Sequence, residues 1–247
     1  MRSDDPEKIA ASQSEHTLLK GLQHPHIVTV RDFFSDNFKS TTHLVMEYVP
    51  GNDILELLLS GEEEESGLPE PDARRLFAQL VSALDCLHRS RVCHRDIKPE
   101  NILVTSDRQR IVLVDFNVSK KASGAGCELH LHTKSVGSIA FAAPERLKQD
   151  HQAYTEKVDL WAAGLVLTFL LTGSHPFAEY VASVPKTIEQ IFDCERVVAS
   201  FLQGFPGLSA AASDLIKRLL SFEPKRRPSA AETLNHAWLK NPAHWTH

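Results

Sequence analysis

The sequence predicts an α+β fold with two unequal lobes and a cleft between them. A short strand-containing first part is followed by a second part that reads as helices from residue 156 to the end. The composition supports a packed core, because 42% of the 247 residues are hydrophobic and 24% are charged. No internal repeat is visible, so the two lobes are expected to belong to one large domain.

The first predicted elements are a short helix and a strand. Apolar residues at helical spacing predict a helix from Glu15 to Leu22, which stops before Pro25. A mostly buried strand is predicted over residues 42–49, THLVMEYV, and the Pro50-Gly51 pair supplies the turn that ends it.

A long amphipathic helix is predicted over residues 71–90. Pro71 and Asp72 stand in its first turn, and leucines recur along one face. The acidic run before it, residues 61–71, is interpreted as a solvated loop, with an interaction tail as the alternative.

The next predicted elements are a hairpin and a buried helix. The stretches 91–104 and 108–116 each end in a β-like segment, which predicts a hairpin with polar residues at its ends. The apolar run over residues 160–173 is too short to span a bilayer and predicts a buried helix.

Charge and cysteine usage bear on the cellular setting. The net charge of -5 gives no sign of a general nucleic-acid or membrane binder, so neither partner is expected. The cysteines show no CxxC spacing, which argues against a disulfide framework or a cysteine zinc site. The N-terminal stretch lacks the apolar core of a signal peptide, and a cytoplasmic location is therefore expected.

Two aspartates within residues 93–120 stand in different surroundings. Asp96 lies in a polar cluster, whereas Asp115 ends an apolar run. Phosphoryl transfer needs a carboxylate to accept the proton of the attacking hydroxyl, a cation near the transferred group and oxygen ligands for Mg²⁺. Asp96, Lys98 and the pair of Asn101 with Asp115 supply these in turn.

These residues belong to motifs that resemble those of protein kinases. HRDIKPEN at residues 94–101, DFN at 115–117 and AAPERL at 142–147 resemble the catalytic-loop, metal-loop and A-P-E signatures in order and spacing. The resemblance covers nearly the whole chain. Lys98 and Ser138 match the serine/threonine branch, and the sequence as a whole is most similar to the calcium/calmodulin-dependent kinase group.

The resemblance implies a bilobal protein-kinase fold over residues 1–247. Residues 1–48 would form an incomplete, β-rich small lobe, from the helix called αC in kinases to the hinge, and residues 49–247 a mostly helical large lobe. Asp96 is implied as the catalytic base, Lys98 as the partner of the γ-phosphate, and Asn101 with Asp115 as Mg²⁺ ligands. ATP would contact a larger set: Glu47, Val49, Asp53, Glu100, Leu103 and Asp115.

Three further residues are implied to be structural. Glu145 and Arg227 resemble the buried pair that ties the activation segment to the C-terminal helices, and Asp159 resembles an anchor for the catalytic loop.

A phosphate on Thr133 or Ser135 is predicted to pair with Arg95 and raise activity, the alternative being that both are exposed loop hydroxyls.

Two departures from the family pattern stand out. No Gly-rich loop and no strand lysine precede Glu15 at the family's spacing, so the chain is expected to begin just before αC. Asn117 stands where the family has glycine, and it is interpreted as a mild change, because asparagine tolerates positive φ. It is also expected to stiffen the loop and to influence where Asp115 points.

Two functions from different classes follow. The first is a protein serine/threonine kinase, with Glu100 and Asp53 favouring protein substrates that carry basic residues near the acceptor. The alternative is a catalytically inactive pseudokinase that acts as a binding or scaffold module.

Overall fold

The computed structural model of the chain describes residues 6–36, 41–59, 67–121, 140–147, 155–177 and 193–240. The helices are α1 (Pro6–Lys20), α2 (Ile54–Leu59), α3 (Glu70–Arg89), α4 (Pro144–Leu147), α5 (Lys157–Thr172), α6 (Cys194–Gln203), α7 (Ala210–Leu219), α8 (Ala230–Leu234) and α9 (Ala237–Lys240). The strands are β1 (Val30–Asp36), β2 (Thr41–Met46), β3 (Gly51–Asp53), β4 (Val92–Cys93), β5 (Ile102–Thr105), β6 (Ile111–Leu113) and β7 (Lys120–Lys121), and 3₁₀ turns cover Pro99–Asn101 and Pro224–Arg226. The described strands therefore all lie before residue 122, together with α1, α2 and α3, and the described elements after residue 140 are helical, which is consistent with an α+β fold.

Strands β1 and β2 form an antiparallel pair against which α1 packs. Phe33 pairs with Leu44 across the two strands, and the His16 ring of α1 stacks on Phe33 with 4.9 Å between ring centroids. Side chains alternate along a strand, so the neighbouring Phe34 faces away from the helix and is 48% exposed. The packing holds α1 in a fixed position relative to the sheet, and with it the side chain of Glu15.

The bounds of α1 differ from the prediction. The helix begins at Pro6 rather than Glu15, because residues 6–14 contain good helix formers but few apolar residues that periodicity could detect. It ends at Lys20 rather than Leu22, since the Gly21 and Leu22 amides donate instead to Leu18 and Leu19 in a closing turn.

Strand β2 is shorter than predicted and ends at Met46 rather than Val49. Thr29 immediately precedes β1 and Glu47 immediately follows β2. The Glu47 amide donates to the Thr29 carbonyl over 2.9 Å, and the Glu47 carboxylate accepts from the Thr29 amide over 3.1 Å. The chain then leaves the strand pair as a connector toward Pro50.

The predicted hairpin is confirmed as β5 and β6, and β3 joins it on the β5 side in an antiparallel sheet of order β3-β5-β6. Leu103 in β5 pairs with Asp53 on one side and Val112 on the other. The Leu113 amide donates to the His26 carbonyl over 2.9 Å, and the Leu113 carbonyl accepts from the Val28 amide over 3.0 Å. These bonds join the segment after α1 to the hairpin that carries the site.

Helix α5 is the centre of the core and is buried along almost its whole length, as the sequence predicts. The Trp161 ring stacks on Phe177 with 6.1 Å between centroids, and the Arg227 guanidinium lies 4.9 Å from the Trp161 ring centroid. A Cβ at Gly164 would lie 2.8 Å from Leu219 Cβ, so glycine permits the close approach of α5 and α7. Within the described ranges, none of the helices is both long and apolar enough to cross a membrane.

Candidate active site

The loop after β4 is held by one buried carboxylate. Asp159, in the first turn of α5, accepts hydrogen bonds from the backbone amides of His94 and Arg95 over 2.9 and 2.8 Å. The same carboxylate accepts a 2.9 Å bond from Nε2 of His88 on α3. Asp159 is therefore the predicted anchor of the catalytic loop.

The protonation state of Asp159 follows from its partners. Burial by itself raises the pKa of this carboxyl, but the hydrogen bond and charge of His88 and the hydrogen bond from the Arg95 amide outweigh it. The net effect is a pKa below the ordinary aspartate value, so the anchor is ionised at neutral pH.

His94 connects the catalytic loop to the segment before Asp115. Its Nε2 lies 3.1 Å from the Val114 carbonyl, and its Nδ1 lies 3.3 Å from the Asp96 amide. A carbonyl can only accept and an amide can only donate, so the ring has its proton on Nε2 and is neutral. Burial is the main cause of the lowered His94 pKa, in agreement with this form. The ring also meets Phe116 edge-on with 4.6 Å between centroids.

Asp96, Lys98 and Asn101 are brought together. Asp96 Oδ2 accepts from Lys98 Nζ over 2.8 Å and from Asn101 Nδ2 over 2.9 Å. Asn101 Nδ2 also donates to the Asp96 carbonyl over 2.7 Å, which ties the side chain and backbone of Asp96 to the 3₁₀ turn. A cation and an amide thus hold Oδ2 of this carboxylate in place.

Asp115 is oriented by residues close to it in sequence. Its backbone is in the left-handed region, with φ of 63°, and its Oδ1 accepts from Asn117 Nδ2 over 2.7 Å. The reason given for regarding Asn117 as a mild change, its tolerance of positive φ, does not apply, because the left-handed residue in this loop is Asp115 and not Asn117. The side-chain amide, which holds the Asp115 carboxylate, is what distinguishes Asn117 from glycine.

Glu15 on α1 meets the same loop from the other side. Its carboxylate accepts from the Phe116 amide over 3.1 Å, and the residue is only 5% exposed. Burial raises the pKa of Glu15, the Phe116 amide lowers it, and the nearby Asp115 charge raises it further, so the pKa lies above its ordinary value. Glu15 therefore connects the position of α1 to the metal loop.

The residues implied to contact ATP lie on the connector and on the neighbouring sheet. The Glu47 amide is already used by Thr29, so only its carbonyl is left for an adenine ring. Val49 follows on the connector and its side chain is buried, while Leu103 lies on β5 beside Asp53. The Asp53 carboxylate accepts from the Glu56 amide over 2.8 Å and so caps α2.

Glu100 occupies a different position from those residues. It is exposed and lies in the 3₁₀ turn between the polar cluster and β5.

The predicted pair of Glu145 and Arg227 is confirmed. Arg227 Nη1 and Nη2 bond the two Glu145 oxygens over 2.6 and 2.8 Å, in a two-pronged ion pair whose arginine side chain is fully buried. The pair fixes α4 to the end of the large lobe. The predicted phosphorylation sites Thr133 and Ser135, and Ser138, lie outside the described residues.

Three residues, His88, Arg110 and Arg146, make contacts at the site that were not predicted from the sequence. His88 donates to the anchor Asp159, and Arg146 donates from Nη1 to the Arg95 carbonyl over 2.7 Å. Arg110 donates from Nε to the Pro25 carbonyl over 2.9 Å, and its Nη2 lies 3.3 Å from both Glu47 oxygens. No local pattern marks these residues, because each partner is distant in the sequence.

The donor set of the site fits Mg²⁺. Among the residues that the structure describes, no cluster of three or more His, Cys, Asp or Glu side chains could hold a metal by itself. The Val114 amide donates to the Asn101 carbonyl over 3.0 Å, which brings Asn101 next to Asp115. A carboxylate and an amide oxygen suit Mg²⁺, which keeps phosphate and water oxygens in its remaining positions.

The fold and site identify a family. The sequence profile of the protein kinase domain matches residues 1–239, and the chain therefore belongs to the protein kinase family. The predicted bilobal α+β fold is confirmed by this membership. The family uses ATP and Mg²⁺ and acts on protein substrates.

Individual relatives are protein kinases by name, and two of the three given below are named as serine/threonine kinases. The chain is 36% identical over 230 residues to serine/threonine-protein kinase cds1 of Schizosaccharomyces pombe, which covers 92% of this chain and 47% of that protein. It is 36% identical over 222 residues to the SNF-related serine/threonine-protein kinase of Rattus norvegicus, covering 90% and 27%. It is 34% identical over 229 residues to myosin light chain kinase A of Dictyostelium discoideum, covering 92% and 72%.

These relatives confirm the predicted resemblance to serine/threonine kinases of the calcium/calmodulin-dependent type. The chain spans about half or less of the length of the first two relatives.

Proposed function

We propose that the protein transfers the γ-phosphate of ATP to serine or threonine hydroxyls of protein substrates, with Asp96 as the catalytic base. The observation that carries the proposal is the Asp96 carboxylate, which is held by Lys98 and Asn101 through one oxygen. The family and the names of the relatives support the same reaction class.

The chemistry assigned to these residues is simple. The substrate hydroxyl gives its proton to Asp96 while its oxygen forms a bond to the γ-phosphorus, and the bond from that phosphorus to the β-γ bridging oxygen breaks. Lys98 is 2.8 Å from Asp96 and can place its charge near the transferred group. Mg²⁺, held by Asn101 and Asp115, would supply positive charge next to the phosphates.

The remaining assignments are part of the same proposal. Glu47 and Val49 contact the adenine through their backbone, Leu103 lies beneath the ring, and Asp53 and Glu100 border the ribose and the substrate. Such carboxylates favour protein substrates with basic residues near the acceptor. This function requires neither a nucleic acid nor a membrane as a partner. We also propose a cytoplasmic location and a lobe boundary between residues 48 and 49 within a domain of residues 1–247.

Phosphate transfer tests the proposal directly. The full-length protein is incubated with labelled ATP, Mg²⁺ and a basic serine peptide, and Asp96→Asn is the matched variant. Transfer by the wild type and a loss of about a thousandfold or more in kcat for the variant are expected, because Asn cannot accept the proton. The ATP dissociation constant should stay nearly the same, since Asp96 acts on the hydroxyl. Equal loss of ATP affinity and of kcat would contradict the role of Asp96.

A second candidate, a non-catalytic binding module, is favoured by the state of the metal loop. Asn117 Nδ2 donates to Asp115 Oδ1, so a side-chain amide already engages the carboxylate that would hold the cation, and Glu15 is bonded to the Phe116 amide. Thermal unfolding with and without Mg²⁺-ATP separates the two candidates, since a ligand of the native state must raise the melting temperature. An unchanged melting temperature at millimolar Mg²⁺-ATP would favour the binding module.

A further inference from the structure

One contact reaches the catalytic loop from α4. Arg146 Nη1 donates to the Arg95 carbonyl over 2.7 Å, across fifty-one residues of sequence. We propose that Arg146 is a positioning residue for Asp96. It acts by fixing the peptide unit between Arg95 and Asp96. The inference rests on the proposed function and adds to it a residue that acts through the backbone of the base.

The backbone at Arg95 explains why such a contact is needed. Arg95 has φ of 75°, in the left-handed region that residues with a Cβ seldom adopt, and it is 3% exposed. A residue in this conformation stays there only when its surroundings hold it. Asp159 holds the amide of Arg95, and Arg146 holds its carbonyl.

The carbonyl of Arg95 and the amide of Asp96 belong to the same planar peptide unit. Arg146 binds the carbonyl side of that unit, and His94 Nδ1 lies 3.3 Å from the amide side. The plane is therefore held on both sides, and because Asn101 Nδ2 holds the Asp96 carbonyl of the next peptide unit over 2.7 Å, the backbone of Asp96 is held before and after its Cα atom. Loss of Arg146 would free the carbonyl side of this unit.

The donor itself stands on an anchored element. Arg146 follows Glu145 on α4, and Glu145 is paired with Arg227 through both of its oxygens. The Glu145–Arg227 ion pair thus holds α4 on the large lobe, and Arg146 on the same helix donates a hydrogen bond to the catalytic loop. By this route α4 sets the position of Asp96.

The test separates positioning from folding by a split between kcat and KM. In the full-length protein, Arg146→Met removes the donor and keeps most of the side-chain length, and Arg146→Lys restores one charged donor. A fall of roughly 10- to 100-fold in kcat with KM for ATP within about twofold is expected for the methionine variant, with partial recovery for lysine. Arg218→Met is the matched control, because Arg218 is an exposed arginine on α7 that pairs with Asp214.

Amide hydrogen exchange supplies a readout that does not depend on activity. Exchange in a peptide covering residues 94–98 should be faster in Arg146→Met than in the wild type, while exchange over residues 102–105 stays the same. Unchanged kcat together with unchanged exchange would overturn the role of Arg146. A wild type that transfers no phosphate would overturn the proposed function instead, and the exchange comparison would still decide whether Arg146 positions the loop.

Discussion

The two aspartates of the site are held in different ways. Asp96 stands in a loop whose backbone is fixed from a distance, by Asp159 on α5 and Arg146 on α4. Asp115 is held mainly by Asn117, two residues further on, and its own backbone is left-handed. The position of Asp96, the proposed base, is thus a property of the large lobe, whereas that of Asp115, the proposed metal ligand, depends on a short loop and on α1.

This difference has a consequence for function. The large lobe is densely packed around α5, so the catalytic loop should keep its geometry whether or not a nucleotide is bound. The metal loop can respond to changes in α1, because Glu15 bonds the Phe116 amide next to Asp115. Substitutions can therefore remove the contacts that hold Asp96 and those that hold Asp115 separately.

The largest effect is expected for Asp159→Ala. The change leaves the His94 and Arg95 amides without their acceptor in a buried place, which should lower the free energy of unfolding by about 3 to 5 kcal/mol. Chemical denaturation measures this loss. Asp214→Ala is the control, since Asp214 is exposed and pairs with Arg218, and a loss below about 1 kcal/mol is expected there. Similar losses in both variants would mean that Asp159 is not the anchor.

The pH dependence of stability sharpens the same point. The pKa of Asp159 is lower in the folded than in the unfolded chain, so its contribution is fully present above the unfolded value and is lost as pH falls through the folded value. The unfolding free energy of the wild type should therefore drop more steeply below about pH 4 than that of Asp159→Asn. Parallel acid limbs would contradict the lowered pKa.

A smaller effect, on the nucleotide alone, is expected for Asp115→Asn. Removal of the charged ligand should weaken Mg²⁺-dependent ATP binding by roughly tenfold or more, with little change in stability, because Asp115 makes no long-range hydrogen bond among the described residues. Calorimetric titration with and without Mg²⁺ measures it, and binding without Mg²⁺ is the control. Full Mg²⁺-ATP affinity in this variant would exclude Asp115 as a ligand.

The smallest effect is expected for Asn117→Ala. Asn117 Nδ2 occupies Asp115 Oδ1, so removing this hydrogen bond, worth about 1 kcal/mol, should make the carboxylate more available to a cation and raise Mg²⁺-ATP affinity about fivefold. The same titration measures it. A lower affinity would show instead that Asn117 holds Asp115 in the direction that metal binding needs.

Some elements could be predicted from local pattern. The α3 helix differs from its prediction by one residue at each end, since leucines on one face and Pro71 in the first turn mark it. The bounds of α1 and β2 were less accurate. The start of α1 is polar, and the end of β2 is set by the bonds between Glu47 and Thr29 rather than by its own residues.

The sequence by itself determined the family of this protein and the residue types of its candidate site: the motif around Asp96 and the loop at Asp115 follow from residue types at fixed short spacing. Only the tertiary structure decided how those groups are held. The Arg146 bond to Arg95, the Arg110 bond to Glu47 and the left-handed backbone at Asp115 depend on which segments meet in space. A short motif records which groups are present, but a contact across fifty or more residues leaves no local pattern, because its partners come together only when the core packs.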